Sequence, residues 1–178
     1  MTRKFEAIPD AEAIAEGDLE RELPFAVREV LLDVILTWAN LEMVTGFFVA
    51  QVLELNPDEG ADKFGRKEIA DKLKRASKAL QEAGNLELAK QITEIANAYP
   101  EKALLRRRIA HSKCAGVRKS LPDRVVFLPY EREGPPEHLA LEVIHISKFN
   151  DAVEWARDVH DHLLKYVDNA GFFLPGVR

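Results

Sequence analysis

Arg106, Arg107 and Arg108 stand in a row shortly before His111. Those residue types suit one kind of chemistry. RNA can be cut without a metal if a base takes the 2′-hydroxyl proton and a cation steadies the charge that builds on phosphorus. Histidine titrates near neutrality and can serve as that base, or as the acid for the leaving oxygen. Arginine offers a permanent charge and a planar donor fork that fits phosphate. The spacing leaves two arginines in contention. On a regular helix five residues turn about 500°, which puts Arg106 and His111 about 140° apart. Arg107 lies four residues before His111 and shares its face, opposite Leu105 and Ile109.

The surroundings are basic. Between Glu101 and Ser120 there are seven cations, namely Lys102, Arg106, Arg107, Arg108, Lys113, Arg118 and Lys119, against Glu101 alone. This segment carries +6 in a chain of net charge -5, so the rest carries -11. An acidic body argues against a general electrostatic nucleic-acid binder. A local basic patch suits a partner that presents a few phosphates at one place, with Arg108 and Lys113 as further phosphate contacts. A solvated basic helix end would look the same, since cations are favoured there. A carboxylate near the histidine would balance it. Glu42, beside Asn40 in an apolar stretch, is the candidate, because a buried charge needs a partner. Glu42 facing solvent is the equal alternative.

The run Leu104-Leu105-Arg106-Arg107-Arg108-Ile109-Ala110-His111-Ser112 resembles the signature of the HEPN superfamily (higher eukaryotes and prokaryotes nucleotide-binding). That motif is an arginine, four to six residues and a histidine, often written Arg-Asn-Arg-Ile-Ala-His and a small residue in bacteria. Arg106, Ile109, Ala110, His111 and Ser112 match it, and Arg107 stands where asparagine is usual. The resemblance covers roughly residues 25 to 168, although about seven positions carry it. It implies an all-α, HEPN-like helical bundle, often dimerised so that two motifs share a cleft. Arg106 and His111 would be catalytic, with Arg107, Glu42, Asn40 and Ser112 supporting. Many members are metal-independent RNases acting as toxins or defence effectors, which would imply an RNA substrate and an antitoxin partner. Others only bind nucleotides or proteins.

Other candidates are weaker. Asp158 and His162, four apart, could share an ion, but His160 and His162 lie about 200° apart on a helix. No metal site and no cofactor is expected. Cys114 sits near the arginines, which could lower its pKa, although no thiol motif surrounds it. His138 and His145 read as packing or surface groups.

The elements that must position these residues follow from periodicity. Pro24 opens a long helix over roughly 25–55, read as buried because it is apolar nearly all round. Asn56-Pro57-Asp58-Glu59-Gly60 is a turn signal. A helix from about Arg66 to Ala83 carries Ile69, Leu73, Ala76 and Leu80 on one face and ends at Gly84-Asn85. Leu88, Ile92, Ile95 and Tyr99 mark the next, which Pro100 should break before a short helix from Glu101 to Ser112. The β-type runs Arg124–Pro129 and Leu139–Ile146, joined through Glu133-Gly134-Pro135-Pro136, predict a small hairpin. Ser147 should cap a last helix over 148–168 that ends at Asn169-Ala170-Gly171. Residues 1–22 read as loosely attached, 23–170 as the bundle and 171–178 as a tail.

The balance of 47% apolar and 31% charged residues is that of a soluble domain. One cysteine suits a reducing cytosol. The N-terminal segment mixes charges and reads as neither leader nor anchor, and Asp33, Asn40, Glu42 and Gln51 interrupt the one long apolar stretch. A cytoplasmic protein with no membrane role is therefore expected, a class too general to name a function. Three readings remain open: a metal-independent RNase, a non-catalytic nucleotide-binding or protein-interaction module, and a dimeric helical scaffold.

Overall fold

The computed structural model describes residues 14, 17–64, 67–128 and 142–167. Among the described residues six helices and four strands follow one another as β1 (Leu19–Glu20), α1 (Phe25–Val52), α2 (Pro57–Phe64), α3 (Ile69–Glu82), α4 (Leu86–Lys102), α5 (Leu104–His111), β2 (Lys113–Arg118), β3 (Arg124–Leu128), β4 (Glu142–His145) and α6 (Ile146–Val167). The chain forms two compact units, Met1–Ile35 with Leu105–Asp151, and Leu36–Leu104 with Ala152–Arg178. Helices α1 and α6 each run through the boundary.

The first unit holds the sheet. Its strands lie in the order β1-β2-β3-β4, all antiparallel. The expected β3–β4 hairpin is present, with Val125 opposite Ile144 and Val126 opposite Val143. The loop through 133–136 lies outside the described residues. The sheet has four strands rather than the two of the small hairpin expected, which corrects the all-α expectation in that respect. Strand β2 escapes the alternation rule because a bulge shifts its register between Cys114 and Gly116. Strand β1 falls in the segment read as loosely attached, yet it pairs with β2. Its anchor is Asp18, whose carboxylate accepts from the Ser120 N–H and hydroxyl (both 2.8 Å) and from Arg118 Nε (2.9 Å). The Ser120 N–H, then Arg118 and the Ser120 hydroxyl, hold the Asp18 carboxyl below its ordinary value. Val117, Val125, Val126, Phe127, Val143, Ile144 and Phe149 form the buried apolar material of the sheet and the start of α6.

The second unit is helical. Gly84, at φ 82°, reverses the chain between α3 and α4, and the Asn85 side chain accepts the Leu88 N–H at 3.4 Å. Ser77 Oγ donates to the Ala89 carbonyl (2.8 Å), fastening the two helices. Ile69, Leu73, Ala76 and Leu80 on α3 and Leu88, Ile92 and Tyr99 on α4 are buried, as their spacing predicts, whereas Ile95 is half-buried and Ala89 and Ala96 join the core unpredicted. Trp38 stacks on Trp155 at 5.7 Å and meets Tyr99 edge-on at 5.3 Å. Two boundaries differ from expectation. The turn at Asn56 opens a helix: Asn56 Oδ1 accepts the Glu59 N–H and Glu59 Oε2 accepts the Asn56 N–H, a capping box with proline in the first turn. Pro100 lies inside α4, which continues to Lys102 before a turn at Ala103. The ends at 169–171 and the tail lie outside the described residues.

Helix α1 is not buried all round. Val27, Leu31, Val34, Trp38, Leu41, Thr45 and Phe48 are buried at alternating steps of four and three. Phe25, Leu32, Leu36 and Met43 repeat the same rhythm two residues earlier and are exposed. Among the described residues α1 is the one helix long and apolar enough to cross a membrane, a property shared by core helices.

The sheet edge gives a stability prediction. Gly116 has φ 140°, and a Cβ there would collide with the Glu20 carbonyl. Gly116→Ala should destabilise the fold by roughly 1–3 kcal/mol, read as a lower midpoint in denaturant melts. Because the Asp18 carboxyl is depressed, its stabilisation is present above the unfolded pKa of about 3.9 and is lost as pH falls through the lower folded value. Asp18→Asn should therefore flatten the acid limb of a stability–pH curve below about pH 4.

Candidate functional site

The motif occupies α5, and the helix runs unbroken from Leu104 to His111. None of its residues is fully buried. Arg106, Arg107 and Arg108 are half-buried, whereas Ala110 and His111 are exposed. The Ser112 N–H still bonds the Arg108 carbonyl at 2.9 Å, and β2 starts at Lys113. His111 thus stands on the last helical residue, where the chain turns into the sheet. A helix C-terminus favours cations, so the basic run is placed compatibly with the helix dipole.

The three arginines are not equivalent. Arg108 Nη2 lies 2.6 Å from Glu142 Oε1, and both side chains are largely shielded from solvent. Its guanidinium is committed to β4, which leaves less of it for the phosphate contact expected of it. Burial raises the Glu142 carboxyl above its ordinary value, and Arg108 offsets only part of that rise. Arg107 also has a partner within the chain. Arg106 has no ion pair or hydrogen bond from its side chain among the described residues. Helical geometry therefore favours Arg107 as the neighbour of His111, while availability favours Arg106. Lys113 is exposed and Ser112 half-buried beside them. Glu42 and Asn40 lie exposed on α1 in the other unit, so the burial that would require Glu42 to find a partner is absent.

A second constellation was not visible in the sequence. His145 Nε2 lies 2.6 Å from Asp123 Oδ2, and its Nδ1 lies 2.7 Å from Ser147 Oγ. The order Asp–His–Ser is that of a hydrolase relay. Here, however, Nδ1 also accepts the Ser147 backbone N–H at 3.1 Å. With Nε2–H donating to Asp123, the ring satisfies an N–H in the first turn of α6. His145 therefore does the capping expected of Ser147, which sits one residue inside the helix. The pairing of 123 with 145 depends on the β3–β4 register and carries no local spacing signal.

The remaining candidates are scattered over β2 and α6. Burial raises the Cys114 thiol above its ordinary value, with a bond from the Gly116 backbone opposing, the reverse of the lowering that nearby arginines could have produced. Burial, and then Lys165, lowers His162, whose ring meets Tyr166 edge-on at 5.5 Å. His160 pairs with its neighbour Asp161 at 2.9 Å, and Asp158 is exposed. Among the described residues no three of His, Cys, Asp and Glu gather as a metal site. His138 lies outside the described residues.

No protein-family model, curated protein or solved structure matches this chain.

The Arg108–Glu142 pair makes a direct prediction. Arg108→Met should cost roughly 2–4 kcal/mol by leaving the shielded carboxylate without its partner, and Arg108→Met with Glu142→Leu should recover most of that. Chemical denaturation of the two singles and the double measures the coupling. Additive losses would mean that the two side chains act separately.

Proposed function

We propose that this protein binds single-stranded RNA at α5 and cleaves it without a divalent metal, leaving a 2′,3′-cyclic phosphate. The observation that carries this reading is that one short helix holds an exposed His111 and an Arg106 whose side chain makes no ion pair or hydrogen bond among the described residues, in the most basic segment of an acidic chain. His111 removes the 2′-hydroxyl proton. The 2′-oxygen attacks phosphorus, and Arg106 stabilises the charge on the non-bridging oxygens. The 5′-oxygen leaves with a proton from solvent or from a second histidine. Arg107, Ser112 and Lys113 support the site by holding and orienting the RNA backbone. The HEPN-like motif, with its toxin or defence associations, is consistent with this chemistry and supplies the expectation of an antitoxin partner.

A second reading rests on a specific observation. Among the described residues no side chain bonds to His111, so nothing orients its ring. Together with Arg107 in place of asparagine, this favours a non-catalytic HEPN-like module that binds a nucleotide or another protein.

The test is cleavage of a panel of single-stranded RNAs in excess chelator, with product ends analysed. His111→Ala should abolish cleavage and leave the circular dichroism spectrum unchanged. Arg106→Ala should lower the rate by about a hundredfold or more. Arg107→Ala should mainly weaken salt-sensitive binding. Cleavage that survives His111→Ala, or that chelator removes, would rule the mechanism out. Binding without cleavage across the panel would establish the second reading.

A further inference from the structure

The outer face of α1 carries apolar residues that no part of the described chain covers. Phe25 is 67% exposed, Leu32 57%, Leu36 53% and Met43 53%. With Glu29, Ala39 and Gly46 they fall at steps of four and three, the spacing of a coiled-coil seam over three heptads. The seam is about 32 Å long. At Gly46, the end of the seam, an added Cβ would meet open space. Arg28 and Glu42 flank the same edge, fourteen residues apart and both exposed.

We propose that this face pairs antiparallel with the same face of a second copy, Leu36 packing on the partner's Leu32. The inference is independent of the ribonuclease reading and concerns a surface remote in sequence from α5. Two facts select the arrangement. An antiparallel two-stranded pair sets one seam position against the other type, so Met43 meets the partner's Phe25 and Glu29 lies over the partner's Ala39. In that register Arg28 faces the partner's Glu42, and the two-fold axis forms the pair twice. Shifting the antiparallel register by one heptad loses both ion pairs. A parallel pair would instead bring Glu29 against its own copy in the apolar seam, where burying like charges is costly. Asp33 faces its copy near the axis of the antiparallel pair, and it already has an interaction within the chain. The charges along this face, Arg28, Glu29, Asp33 and Glu42, also suit a protein partner better than a lipid surface.

The experiment measures the mass of the full chain by light scattering and sedimentation across a concentration series, with circular dichroism to verify folding. Wild type should be a dimer, and Leu36→Asp should be monomeric at every accessible concentration. Arg28→Glu and Glu42→Arg should each raise the dimer dissociation constant roughly tenfold. The double variant, which reverses both charges, should return it to within about threefold of wild type. A monomeric wild type would overturn the proposal, as would a Leu36→Asp dimer or a double variant no better than the singles. Flotation of the wild type with anionic vesicles, lost in Leu36→Asp, would assign the face to a membrane instead.

Discussion

A helix that is apolar on two opposite sides can satisfy only one of them against its own chain. Helix α1 is such a helix. Its inner stripe supplies Trp38, Leu41 and Phe48 to a buried helical core, and its outer stripe remains in water. Helix α1 runs through the boundary of the two compact units. The two stripes have the same period and are offset by two residues. Their contributions to amphipathic character nearly cancel when the helix is viewed as a sequence, although the burial difference between the two sides is large.

Charge is allocated in a similarly uneven way along α5. Three adjacent arginines repel one another, and the fold separates them by giving each a different environment. Arg108 reaches β4 and Arg107 has a partner within the chain, whereas the Arg106 side chain makes no ion pair or hydrogen bond among the described residues. The carboxylate at Glu142 is held where burial works against its charge, and the nearby guanidinium compensates in part. Desolvation offsets much of the attraction in a shielded pair of this kind, so it is weak evidence of added stability.

Much of the helical framework was legible in the sequence. The stripes of α3, α4 and α6 and the β3–β4 hairpin follow from periodicity, which depends only on near neighbours. What escaped depends on partners distant in sequence. Strand β2 has no alternation because Gly116 sits at a bulge, and β1 is two residues whose pairing is fixed by Asp18, about a hundred positions from Ser120. The α2 capping box was readable in Asn56 and Glu59, but the proline and glycine between and beside them look equally like a turn. At the site, the sequence placed Arg106 and His111 on one helix. It could not rank the arginines, since their differences lie in Glu142 and other partners. It left Glu42 open between a buried partner for the histidine and a solvent-facing group, and Glu42 is exposed on α1.

Helix α5 has no fully buried residue, although it joins a packed helix to a sheet strand. Such a segment can open locally at a free energy well below that of global unfolding. Its amides should exchange with solvent early while those of α3 and α4 stay protected. A ligand that orders α5 would then spend part of its intrinsic affinity on suppressing that opening. Strengthening the tether between Arg108 and β4 could tighten binding through preorganisation alone, with no new contact to the ligand.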